Sequence, residues 1–165
     1  MRRLQMVIAL VMVGTFMGTL PLLAEEPGYV GAKLCSACHK YQSEQWKTTA
    51  HATAASPLSA EQKADAQCMA CHGTGAAQGN LGEKWENVQC EACHGPGQQY
   101  VKLKAKWKKN PEETRKLAME VGFRLQNEEV CLGCHGQARP EGHPPAKPFD
   151  YNAAYPLVAH KEPKE

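Results

Sequence analysis

Cys35-Ser36-Ala37-Cys38-His39, Cys68-Met69-Ala70-Cys71-His72, Cys90-Glu91-Ala92-Cys93-His94 and Cys131-Leu132-Gly133-Cys134-His135 decide how this chain folds. All four stretches read C-x-x-C-H, and together they use all eight cysteines. That pattern is the covalent attachment signature of c-type haem. The two thiols add to the haem vinyl groups, and the adjacent histidine reaches the iron as its proximal ligand. Cysteines at i and i+3 lie on one face of a helical turn, which is the geometry the attachment needs. The chain is therefore expected to carry four haem c groups, with His39, His72, His94 and His135 as proximal iron ligands.

Two other readings of eight cysteines compete with this one. Four C-x-x-C pairs could build two Cys₄ zinc sites, and a disulfide framework would suit an exported protein. Neither requires a histidine immediately after the second cysteine of every pair. Meeting that condition four times by chance is on the order of 10⁻⁶ to 10⁻⁵, so haem is preferred.

Arg2 and Arg3 precede an apolar run from Leu4 to Leu23, and Ala24 precedes Glu25. This is a secretory signal pattern, and it agrees with haem attachment outside the cytoplasm. Residues 1–24 are read as a signal peptide, and residues 25–165 as one tetrahaem cytochrome c domain in the periplasm. If uncleaved, the apolar run is long enough to anchor the chain in a bilayer. Losing Arg2 and Arg3 from 19 Lys+Arg leaves 17, against 17 Asp+Glu. Four haems would add eight propionates, so nothing here points to nucleic acid.

The expected fold is mainly α: short helices and loops wrapped around four haems, with little or no sheet. Outside the leader the chain holds three Trp, five Tyr and two Phe, too few large apolar residues for an ordinary core. One haem per roughly 35 residues would supply the missing apolar surface. Helices are expected over 43–55, from a Ser59 cap into the second motif, from Asn110-Pro111 to a stop at Gly122, and from Asn127 into the fourth motif. Loops are expected over 73–82 and at Gly95-Pro96-Gly97. Residues 100–109, with five lysines, read as a helix whose charges dock an acidic redox partner, neutralise propionates or simply form a solvated face. Prolines between Arg139 and Pro148 predict an extended tail. The motifs begin at Cys35, Cys68, Cys90 and Cys131, so there is no fixed-period repeat.

The sixth iron ligands matter most for function. A distal histidine gives a low-potential haem, and methionine raises the potential. His51, His143 and His160 are the histidines outside the motifs, and each is a candidate distal ligand. Three histidines for four irons leave one haem short. That iron is either five-coordinate or takes Met119 or a ligand from a neighbouring subunit. Met69, inside its own motif, is badly placed to reach across.

Gly31-x₃-Cys35-Ser36-Ala37-Cys38-His39, Trp46-Lys47-x₂-Ala50-His51-Ala52 and Cys90-Glu91-x-Cys93-His94-Gly95-Pro96-Gly97 together resemble the tetrahaem cytochrome c-554 family, which includes the electron acceptor of hydroxylamine oxidoreductase in ammonia-oxidising bacteria. The resemblance implies stacked haem pairs, three bis-histidine haems and a five-coordinate second haem, here the one on Cys68–His72. It also implies distal roles for His51 and His160. One departure stands out. The family has a distal histidine shortly after its third motif, whereas residues 98–110 contain none; His143 is the candidate substitute.

The function expected is electron transfer between redox protein donors and acceptors. Two alternatives stay open: reduction of a nitrogen oxide such as nitric oxide at an open haem, and a subunit of an extracellular haem filament in which a neighbour supplies the missing ligand.

Overall fold

A computed structural model of the protein describes residues 28–103, 110–145 and 147–161. The signal-peptide reading of residues 1–24 and most of the lysine-rich stretch, 104–109, lie outside the described residues. Among the described residues the regular elements are all helices, and the β-type pairing found is an isolated bridge between Gly73 and Glu86. In chain order they are α1 (Ala32–Ser36), α2 (Lys40–Lys47), α3 (Ala60–Ala64), α4 (Ala66–His72), α5 (Cys90–His94), α6 (Gln98–Lys102), α7 (Pro111–Glu120), α8 (Glu128–His135) and α9 (Tyr151–Ala154), with short 3₁₀ turns between them. The mainly α expectation holds.

Local chemistry places most of the helix starts. Ser59 forms a capping box with Gln62 at the head of α3. Asp65, Asn110, Asn127 and Asp150 each accept a backbone N–H in the first turn of α4, α7, α8 and α9, which satisfies donors that helix geometry leaves unpaired. At the other end of α7, Gly122 takes φ 99° and the Phe123 N–H bonds the Ala118 carbonyl, the left-handed stop expected there.

Two expected helices are broken. The helix over 43–55 begins earlier, at Lys40, and ends at Lys47; His51 sits on a separate 3₁₀ turn, Ala50–Thr53. Thr48 and Thr49 cause the break. Their hydroxyls bond the Gln45 and Trp46 carbonyls, which competes with the helical ladder, and Thr49 is extended. The Ser59 helix likewise stops at Ala64, because Asp65 leaves helical geometry and starts α4 anew. Helix α9, after the proline-rich tail, was not anticipated.

The described polypeptide buries few apolar side chains: Ala55, Met69, Ala76 and Ala118. Meanwhile Leu125 is 52 % and Leu157 77 % exposed, and Leu34 and Leu132 are exposed as well. What fixes the strands of loop is polar. Glu91, 2 % exposed, accepts from the backbone N–H groups of Val30 at 2.9 Å, Gly31 at 2.7 Å and Gly97 at 2.6 Å. Gln89 accepts from Ala32 N–H and donates to the carbonyls of Lys84 and Glu86. These two side chains tie the first motif to the third.

Candidate haem sites

The second, third and fourth motifs lie wholly on α4, α5 and α8. The first is split: α1 carries Cys35 and ends at Ser36, and His39 precedes α2. All eight thiols are free of disulfides. Among the described residues no cluster of three or more His, Cys, Asp or Glu is placed to hold a metal ion by itself, so the cysteines do not converge as zinc ligands.

The thiols instead bring the motifs into a row. Cys35 and Cys90 share a hydrogen bond that pushes the Cys35 thiol up and Cys90 down. Burial pushes Cys93 up to about 11, with Cys131 adding to the rise. Burial, followed by Cys71, pushes Cys134 up to about 12, and the Cys134 thiol lies 3.7 Å from the Ala70 carbonyl. In space the order is therefore first, third, fourth, second.

The histidines pair across this row. His51 faces His135 with ring centres 6.1 Å apart, His143 faces His72 at 6.1 Å, and His160 faces His94 at 6.3 Å. Two imidazoles on opposite sides of one metal, each bonded at about 2 Å, put their ring centres roughly 6 Å apart. The donor set thus fits haem c: a cysteine pair, a proximal histidine and, in three cases, a histidine across from it.

Backbone carbonyls orient the proximal rings. The Nδ1 of His72 meets the Ala54 carbonyl, and the Nδ1 of His94 the Arg124 carbonyl at 3.1 Å. At His72 such a bond leaves Nε2 for the iron and fixes the ring plane. Burial lowers the proton affinity of both His51 and His94, which keeps the rings neutral, as ligation requires. The Gln126 amide lies within 2.7 Å of the His94 ring nitrogens, and Phe149 stacks on His135 at 4.6 Å.

The three histidines that face the motif histidines are held by the loops. His51 is fixed from the 73–89 loop: Trp46 Nε1 donates to the Val88 carbonyl, Val88 N–H to the His51 carbonyl, and Ala55 N–H to Asn87 Oδ1. His160 is fixed by its neighbour Lys161, whose N–H and carbonyl both bond the Gln45 side chain. His143 rides a turn closed by its N–H to the Pro140 carbonyl.

His39 is the exception. The ring across from it is Tyr100, with centres 6.1 Å apart and Oη 3.2 Å from Nε2. Tyr100 stacks on Phe123 at 5.2 Å, and Phe123 on His94 at 4.9 Å. Met119, the other candidate sixth ligand, is half exposed on α7. Sequence reasoning passed over Tyr100, although it lies in the segment after the third motif noted for lacking a histidine. It also passed over Glu91 as the clamp between motifs.

The chain is also similar to known cytochromes. The family model described as cytochrome c554 and c-prime matches residues 34–95. Over 72 residues the chain is 39% identical to cytochrome c-554 of Nitrosomonas europaea, a match covering 34% of this chain and 31% of that protein. The chain thus aligns with about a third of that relative's length. The structure is similar to that of reduced cytochrome c554 from the same organism, with TM-score 0.52 and 26% identity, over 80% of this chain and 78% of the other.

Proposed function

We propose that the chain, which resembles cytochrome c554 in its residues 34–95 and in its fold, is an electron carrier, exported to the periplasm and working between redox protein donors and acceptors. The observation that carries this reading is the facing of His135 with His51, His72 with His143 and His94 with His160, each pair's ring centres 6.1–6.3 Å apart beside an attachment motif. Bound haem supplies the reversible iron couple that holds the electron. The chain supplies everything else. Its cysteines fix the spacing, and its paired histidines set low potentials. The Ala54 and Arg124 carbonyls hold proximal rings in register. The Arg2–Ala24 segment supports export, and the run of five lysines from Lys102 to Lys109 supplies charge for docking an acidic partner.

The test is a haem count and a redox titration of the exported protein, followed by rapid mixing with an oxidised carrier protein. Four haems per chain and fast, reversible electron exchange are expected. Fewer than four haems, or sustained consumption of nitric oxide faster than electron exchange, would sink the carrier reading. The Tyr100–His39 pair is the observation that favours some exchangeable-ligand chemistry beside it.

A further inference from the structure

We propose that the first haem, held by Cys35, Cys38 and His39, is the ligand-binding haem of this protein, and that Tyr100 serves as its distal hydrogen-bond donor. The ligand class is a small diatomic π-acceptor such as carbon monoxide or nitric oxide. The proposal rests on the reading of the chain as a tetrahaem protein, and it moves the open site away from the second haem.

The argument is one of matching. Three of the four proximal histidines have a histidine across from them at 6.1–6.3 Å. His39 has a tyrosine. His143, the histidine nearest the second motif's His72, closes the haem that would otherwise be open. Its position on the tail is set by a Pro140 turn and by Gly142 at φ 81°. The second motif's histidine has an imidazole across from it, and the first motif's has a phenol.

Tyr100 is seated to donate rather than to ligate. Its Oη lies 3.2 Å from His39 Nε2, short of the roughly 4 Å that two opposed metal bonds of about 2 Å would span. The hydroxyl thus stands on the side of His39 where the other three proximal histidines have an imidazole, a place from which it can donate a hydrogen bond. A phenol O–H is a directional donor, and stacking on Phe123 restricts the ring. Because Phe123 also stacks on His94, the distal group of the first haem is packed against the proximal group of the third. The first motif packs against the third, at one end of the row, so a ligand bound there blocks no link between the other haems.

The experiment uses the reduced, fully haem-loaded protein titrated with carbon monoxide, with the haem count as control. Wild type is expected to take up one carbon monoxide per four haems. Tyr100→His should abolish uptake and the ferric high-spin signal. Tyr100→Phe should keep uptake but shift the bound C–O stretch upward by several cm⁻¹, as a donor is lost. His143→Ala should raise uptake to two. Unchanged uptake in Tyr100→His, or uptake still at one in His143→Ala, would overturn the proposal. A ferric tyrosinate charge-transfer band that Tyr100→Phe removes would make Tyr100 a ligand and overturn the donor role. A haem count below four would instead defeat the tetrahaem reading beneath it.

Discussion

Glu91 sits at the x position of a motif in which only cysteine and histidine do haem chemistry, yet it is nearly inaccessible and accepts hydrogen bonds from Val30, Gly31 and Gly97. A buried carboxylate survives only when its oxygens are satisfied, and here three backbone donors depend on it in return. Glu91→Ala would leave those donors unpaired, at a cost of about 3–5 kcal/mol. A glutamine keeps one acceptor oxygen and turns an amide against a donor, so Glu91→Gln should cost about 1–3 kcal/mol. Urea unfolding of the two holoproteins would check the order; equal midpoints for Glu91→Ala and wild type would remove Glu91 from its place as the clamp. Trp46 offers a milder case. Trp46→Phe loses the bond to the Val88 carbonyl and should cost about 1 kcal/mol. Its sharper consequence is a loosened His51, visible as broadened low-spin resonance signals from the fourth haem.

Helices this short survive on their ends. Helix α8 carries the whole fourth motif on eight residues, and Asn127 caps it through the Val130 N–H. Asn127→Ala should cost about 1 kcal/mol, measured as a drop in the thermal midpoint of the holoprotein. The turn after α5 is less forgiving. Gly95 has φ 82°, and a Cβ there would collide with the Gly122 backbone carbonyl. Gly95→Ala should therefore separate the third motif from the α7 stop, and the protein should yield little folded material. These elements also divide what the sequence discloses from what it hides. Ser59, Asn110, Asn127 and Gly122 announce helix ends because the signal is local: one side chain, one N–H, or one left-handed residue. The break at Thr48 and Thr49 is local too, but hydroxyl bonds to i−3 carbonyls leave no trace in apolar periodicity. The attachment cysteines were legible because covalent chemistry dictates their spacing. The facing of Tyr100 and His39, 61 residues apart, belongs to tertiary structure, and no pattern along the chain encodes it.

At the scale of the molecule, the described polypeptide keeps Leu125 and Leu157 largely exposed and buries mostly alanine. Burial of apolar surface is the main force that offsets chain entropy, so the haem macrocycles have to supply it. Protein made without haem attachment should lack a cooperative thermal transition and show weak helical dichroism; a sharp transition in such material would contradict a core built on haem. The same dependence sets the response to acid. Burial holds the His51 and His94 imidazoles below the usual histidine value, about 6.5, and iron binding demands the same neutral ring. Once unfolded, both rings take up protons near the usual value. Between the lowered folded value and about 6.5 the unfolded chain binds more protons, so stability rises with pH through that window. The contribution is complete above about 6.5 and shrinks as acid is added below it. The urea midpoint of the holoprotein should accordingly fall between pH 7.5 and pH 5, and the loss should be smaller in His51→Ala, which has one ring fewer to protonate. A midpoint that holds steady or climbs over that range would mean the buried rings do not control the acid limit.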